Sequence, residues 1–310
     1  MISPSAEIKL TRSLARWQAD LALALVALIW GTTFVVVKQA LNEISAMYFL
    51  AVRFALASAC MLLMFLPAFR RTEARAIWLG LRSGALAGIF LWLGYVLQTF
   101  GLKYTSAGNS GFLTGLYIVL VPLISAAVYR HWPQISELVG ICIAGIGMML
   151  LAIPSLDRNF HINHFQINKG DLLTIGCAIA FAFHLLVLGY FSQRERFEAV
   201  ALGQIVCAAV LSTASLAVEP PKAIWSGGVI FGVVVLTAVF ATALAFALQT
   251  WGQKYTTPTR TALIFALEPV FALATAVCVG GEGLTAVRAV GAGFILTGIL
   301  AVELKPARRA

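Results

Sequence analysis

The sequence predicts an all-α, polytopic membrane protein of ten transmembrane helices, built from two inverted five-helix repeats. Three observations predict it. The chain is 60% hydrophobic and 11% charged, with a mean hydropathy of +0.91. Residues 98–105 read QTFGLKYT and residues 249–256 read QTWGQKYT, so six of eight letters agree 151 positions apart. The same offset pairs Asp20 with Asp171, Gly140 with Gly291, and Gly147 with Gly298. A soluble domain carries roughly a quarter charged residues, so this chain has too little polar surface to coat a globule in water. A bilayer is the fitting solvent, since each span needs about 20 apolar residues. A unit with an odd number of spans re-enters the membrane from the opposite side when it is repeated, and the copies are then inverted.

The spans follow in order from the apolar runs. The first, 20–40, comes after Lys9, Arg12 and Arg16 and so resembles a signal peptide. It is too long for one, lacks a small-x-small cleavage site and has a repeat mate at 171–191, which marks a retained helix. The next are 46–67, then 76–101 with its double GxxxG of Gly80, Gly84 and Gly88, then 107–130 and 135–153. A polar connection, 154–170, begins at Pro154 and joins the copies. The second copy gives 171–191, 198–218, 226–252 with Gly228 and Gly232, 258–279 and 285–304. The predicted organisation is therefore a first repeat over 1–153, a linker over 154–170 and a second repeat over 171–310. The two GxxxG devices are read as plain helix packing.

The net charge of +9 raises nucleic acid as a partner. The positions exclude it, because the cations lie between apolar runs and at the termini rather than in one stripe. With the N-terminus inside, fourteen Lys and Arg fall on the cytoplasmic side and six outside, and Arg53 and Arg82 lie within spans. Both termini are thus expected in the cytoplasm. Trp17, Trp78, Trp132, Trp225 and Trp251 fall near span ends, whereas Trp30 and Trp92 lie deep. Five cysteines, all inside apolar runs and without a CxxC, read as buried thiols, so neither disulfide nor metal site is expected.

Three stretches carry a family resemblance: Trp30-Gly31-Thr32-Thr33-Phe34 in span 1, TSAGNSGFLTGLYIVLVP from Thr105 to Pro122 in span 4, and TPTRTALIFALEPVFA from Thr257 to Ala272, followed by Gly281-Glu282. With them, nearly the whole chain resembles the ten-helix branch of the drug/metabolite transporter superfamily with two EamA-type repeats. The resemblance implies a carrier of small organic solutes, often an exporter of amino acids or related metabolites. It implies a cavity lined mainly by spans 1–4 and 6–9, and a bacterial inner-membrane location. Small four-helix members dimerise through a helix with two glycines seven residues apart. Gly140 and Gly147, and Gly291 and Gly298, show that spacing, which suggests that spans 5 and 10 hold the halves together. Two departures stand out. Arg130-His131 occupies the place of Gly281-Glu282 in the first copy, and span 1 has no carboxylate beyond Asp20.

The residues themselves nominate a site. Glu268 lies about ten residues into span 9, near mid-membrane at roughly 1.5 Å per residue. An ionised carboxylate there costs several kcal/mol unless paired or hydrated. It could bind a substrate ammonium or a proton, or instead serve backbone loosened by Pro269, which cannot donate to the carbonyl of Phe265. His184 sits mid-span 6, with Thr33 as its mate beside Trp30. Arg260, Ile264 and Glu268 share one face of span 9, and their mates Asn109, Leu113 and Tyr117 share one face of span 4. Arg260 itself reads as an interfacial charge. Span 3 is expected to present Trp92, Tyr95, Gln98 and Thr99 on one side, with Gln249 repeating Gln98. Arg53 could meet a substrate carboxylate.

The leading function is a secondary active transporter, an exporter of a small metabolite such as an amino acid, working by alternating access around a midplane cavity. No GxxxxGK[ST] motif offers ATP coupling. A membrane transferase is disfavoured, because Asp20, Asp157 and Asp171 all lie at span ends or in a loop, leaving no pair to hold magnesium. A passive channel or facilitator is the other alternative, although Tyr117 opposite Glu268 breaks the like-group rings that pores favour. No cofactor is expected. The expected partners are a small-molecule substrate, a proton and the lipid bilayer, with the chain a monomer or a weak homodimer.

Overall fold

A computed structural model describes residues 4–41, 43–105, 107–130, 134–152, 168–219, 228–278 and 283–303. For residues 4–14, 34, 35, 38, 39, 107–109, 129, 152, 229 and 303 it describes the backbone alone. Most of the connection 154–170, and the Gly281-Glu282 pair, lie outside the described residues.

Among these residues the regular structure is helical. The helices are α1 (Pro4–Ala40), α2 (Ala46–Phe69), α3 (Ala74–Gly101), α4 (Ala107–Thr114), α5 (Tyr117–Tyr129), α6 (Ile135–Ala152), α7 (Lys169–Ser192), α8 (Phe197–Ala214), α9 (Gly228–Ala238), α10 (Ala245–Gln253), α11 (Pro258–Phe265), α12 (Glu268–Cys278) and α13 (Ala286–Glu303). Seven helical rods, among them Ala46–Phe69, Lys169–Ser192 and Ile230–Gln253, are long and apolar enough to cross a membrane. Ile135–Leu151 and Ala286–Val302 are shorter and equally apolar. The outside of the bundle is apolar too: Leu63, Val210 and Phe231 are 71%, 62% and 61% exposed, while Arg53, His184 and Gln204 are buried. That arrangement belongs in lipid, where polar groups turn inward.

Small residues set the packing. A Cβ added to Gly80, Gly84 or Gly88 of α3 would meet Ala199, Val200 or Gln204 of α8, so these glycines let the two backbones approach. Gly228 and Gly232 do not act this way. No described atom lies within 4 Å of a Cβ built on either, so the packing read from their spacing is not made among the described residues.

The copies are inverted. α6 and α13 are repeat mates, and a Cβ on Gly140 would meet Gly298 while one on Gly147 would meet Gly291, with the reverse contacts also present. Rising numbers on one helix meet falling numbers on the other, so the mates run antiparallel. Contacts also recur under the 151-residue offset: Gly101 packs on Gly170 and Thr174, and its mate Gly252 packs on Ala19 and Leu23. This reciprocity is the mark of a two-fold relationship.

Four local features go beyond the predicted spans. α1 begins at Pro4 rather than near residue 20. Spans 4 and 9 are each broken in two, at residues 115–116 and 266–267. In span 8 a π-helical turn, Val239–Leu244, separates α9 from α10. α5 ends on Arg130 with φ of 54°, a left-handed conformation that favours glycine. Glycine stands at the equivalent position 281 of the other copy.

Candidate functional site

The two helix breaks are repeat mates, and the residue after each break is Tyr117 or Glu268. In span 9 Pro269 has no N–H for the carbonyl of Phe265, and the chain tightens: Ala266 N donates to Leu263 O at 3.1 Å and Leu267 N to Ile264 O at 3.0 Å. In span 4 Leu116 N donates to Leu113 O at 3.2 Å and Ile118 N to Gly115 O at 3.0 Å. Such three-residue turns end one helix and start the next. Gly31 of α1 makes room here, since a Cβ on it would stand 2.5 Å from the Glu268 carbonyl oxygen. Tyr117 Oη donates to Glu268 Oε1 at 3.4 Å.

A cavity of about 140 Å³ adjoins this pair. Glu268, His184, Trp30, Thr33, Arg53, Tyr95, Gln98, Tyr117 and Gln249 all line it. Trp92 does not. α3 turns Leu91, Tyr95, Gln98, Thr99 and Leu102 toward the cavity, and at about 100° per residue position 92 falls off that face. Trp92 packs instead against the apolar core, its indole Nε1 buried without a partner among the described residues. The side chain of Asn109 lies outside the described residues. From its midplane residues the cavity reaches Val37 and Leu41 at the end of α1 and Leu102 just after α3.

The opposite end of the bundle is closed. Arg260 is more than an interfacial charge: its Nε and Nη2 donate to Asp20 Oδ1 and Oδ2 at 3.0 and 2.7 Å. Gln193 Nε2 donates to the carbonyls of Gln253 and Thr256, and Gln253 Nε2 donates to that of Leu185. Pro258 presses on Gly189, leaving no room for a side chain there. Arg260 therefore does not join Glu268 in the cavity.

Arg53 is 4% exposed. Its Nε donates to Thr242 Oγ1 at 2.6 Å and its Nη2 to Ala241 O at 3.2 Å. The same carbonyl accepts Trp30 Nε1 at 2.8 Å. That carbonyl belongs to the π-helical turn Val239–Leu244, a distortion of the helix that recurs at functional sites. The equivalent residues 88–93 of the first copy lie in unbroken α3. The guanidinium lies 5.3 Å from the Tyr95 ring centroid and 5.9 Å from that of Phe49, within cation–π range. Neither Arg53 nor Glu268 has an ion-pair partner among the described residues.

His184 Nε2 meets Gln204 Oε1 at 2.8 Å, and Gln204 Nε2 donates to Thr250 Oγ1 at 3.0 Å. An amide oxygen only accepts, so the imidazole carries its hydrogen on Nε2. Gln98 Nε2 donates to Thr114 Oγ1 at 3.2 Å, while Gln249 Oε1 is buried without a partner among the described residues. Gln204, Thr242, Phe181 and Phe246 were not expected in or beside the site. The offset points to three of them, as mates of Arg53, Trp30 and Tyr95. Thr242 is the mate of Leu91 and gives no such signal.

The site is thus an aromatic-walled hollow with one cation, one carboxyl and unsatisfied amide capacity among its described lining residues. A solved crystal structure superposes on this fold with a TM-score of 0.74 at 19% identity, over 92% of this chain and 96% of that one. A protein of Archaeoglobus fulgidus named "Uncharacterized transporter" is 37% identical over 290 residues, 94% of this chain and 87% of the relative. A Salmonella typhimurium protein named "Probable amino-acid metabolite efflux pump" is 25% identical over 299 residues, 92% of this chain and 94% of the relative. The model of the EamA-like transporter family matches residues 17–153 and again 168–304, and the chain belongs to that family of membrane transporters.

Proposed function

We propose that the chain is a secondary active transporter that exports a small zwitterion, such as an amino acid, by alternating access around the cavity at Glu268 and Arg53. One observation carries this reading. A buried cation and a half-buried carboxyl line one cavity, and neither has a counter-ion among the described residues. Uncompensated charge in the membrane interior is costly. A solute bearing both a carboxylate and an ammonium would offset both costs at once. Arg53 would take the carboxylate, with Nη1 available for it, and Glu268 and the Gln249 oxygen would take the ammonium. Trp30, Tyr95, Phe181 and Phe246 would cover the apolar remainder.

The closed end supports a two-state cycle in which the Asp20–Arg260 pair parts as the inward path opens. We read that end as cytoplasmic, with both termini inside the inner membrane, from the excess of Lys and Arg there. Glu268 is the candidate proton carrier. The test is counterflow in proteoliposomes loaded with a panel of amino acids. Saturable uptake driven by internal cold substrate is expected for at least one of them, and lost in Arg53→Gln. Linear, non-saturating flux would overturn the carrier reading.

A further inference from the structure

The octapeptide that marks the repeat carries a lysine in both copies, and the two lysines have different surroundings. Lys103 Nζ stands 2.6 Å from Glu219 Oε1. Lys254 lies 5.5 and 5.9 Å from the ring centroids of Tyr255 and Phe197, and no described carboxylate pairs with it. It stands at a polar crevice of about 410 Å³ at the closed end of the bundle. Arg16 of α1 and Arg260 of α11 line the same crevice. Glu137 is the one carboxylate among its described lining residues, and it is engaged, accepting from Gln134 N at 3.0 Å.

Two further features favour an anion. α11 starts in the crevice, with Thr257 as its cap and Pro258 as its first residue, so the positive end of that helix faces inward. Thr256 also lines the crevice, and its Oγ1 is buried with no partner among the described residues. The basic character belongs to one end only. Lys254 carries the contrast, since its mate is the neutralised Lys103. Charges that serve orientation alone need neither a hollow nor a capped helix end, and this crevice has both.

We propose that the crevice is a phosphate site, held by Arg16 and Lys254; Arg260 beside them is already engaged by Asp20. Its ligand is the phosphate of an anionic phospholipid headgroup or of a soluble phosphate. Arginine and lysine converging on a helix N-terminus supply the donors that phosphate oxygens require. Basic pockets between membrane helices bind anionic headgroups on the same terms. The site is separate from the central cavity, so it stands whatever solute is carried.

The test uses the full-length protein, purified in detergent and stripped of lipid. Its melting temperature is followed against inorganic phosphate at constant ionic strength, and against phosphatidylglycerol or phosphatidylcholine in mixed micelles. A saturable rise with phosphatidylglycerol alone supports a lipid site, and one that inorganic phosphate also produces supports a soluble ligand. In the Arg16→Gln/Lys254→Gln variant the apparent affinity should fall about fivefold for each charge removed. The charge-keeping variant Arg16→Lys/Lys254→Arg should retain binding, which separates lost charge from damaged structure. No rise with either ligand, or equal rises in the parent and the glutamine variant, overturns the proposal.

Discussion

Tyr117 and Glu268 stand 151 residues apart in the chain and 3.4 Å apart in space. Each is the other's repeat mate, so the axis relating the two halves passes between them. A symmetric pair of carboxyls there would repel, and a symmetric pair of tyrosines would carry no charge. The heterologous pair gives one titratable acid with a hydroxyl donor at the centre of the bundle.

The first prediction concerns that acid. Glu268→Gln keeps the hydrogen-bond acceptor and removes the exchangeable proton. Transport by the parent should vary with pH, and the variant's profile should be flat over the same range with its melting temperature little changed. Matching profiles in proteoliposomes would reject a proton role for Glu268.

Arg53 is aimed by the π-helical turn. Thr242→Val should leave the buried guanidinium Nε without its acceptor, at a cost of about 1–3 kcal/mol, while Thr242→Ser keeps the oxygen. For whichever amino acid the counterflow panel identifies, the valine variant should raise KM more than it lowers the maximal rate. Equal kinetics in the two variants would mean that Arg53 does not need this contact.

The α6–α13 seam should tolerate no added carbon. Gly147→Ala places a Cβ 2.5 Å from the Gly291 carbonyl oxygen, whereas Gly145 has no described atom within 4 Å of its own Cβ position. Overpacking costs typically about 1–3 kcal/mol, and alanine gains up to about 1 kcal/mol in helix propensity. Gly147→Ala should therefore lower the melting temperature and Gly145→Ala should hold or raise it.

Asp20 has two available partners. Its mate Asp171 accepts from Thr105 Oγ1 at 2.6 Å, but Asp20 is held by Arg260, and the mate hydroxyl of Thr256 has no partner among the described residues. Arg260→Asn copies the first repeat at this position. It should free Asp20 for Thr256 and loosen the closed end, so that a cysteine introduced at buried Ala19, in a background without native cysteines, reacts faster with a water-soluble maleimide. An unchanged labelling rate would show that the ion pair does not hold that end shut.

Arg130 bears a left-handed φ that costs a side-chain-bearing residue about 1–2 kcal/mol. Arg130→Gly should raise the melting temperature, since glycine adopts this conformation at a helix C-terminus without that penalty. A fall would mean that the arginine side chain contributes more than the strain removes.

Much of this was legible beforehand because a repeat is a geometric statement. The octapeptide marked the repeat, the odd number of spans in each copy implied inversion, and the family resemblance suggested that glycines 140/147 and 291/298 hold the halves together. Hydropathy gave the spans, and the cost of charge in lipid singled out Glu268 and Arg53. Trp92 went astray because its neighbours were polar while its angle on α3 was one residue off. Arg260 was undervalued because its partner, Asp20, lies 240 positions away.

By itself, then, the sequence determined the helical class, the two-copy plan and the few polar residues that lipid would not accept for free. These follow from composition and periodicity, which are local. The tertiary structure alone decided that Tyr117 meets Glu268, that a π-helical turn hands a carbonyl to Trp30 and Arg53, and that Asp20 chooses Arg260 over Thr256. Each of those is a contact between residues more than 150 positions apart in the chain, and no one-dimensional pattern records it.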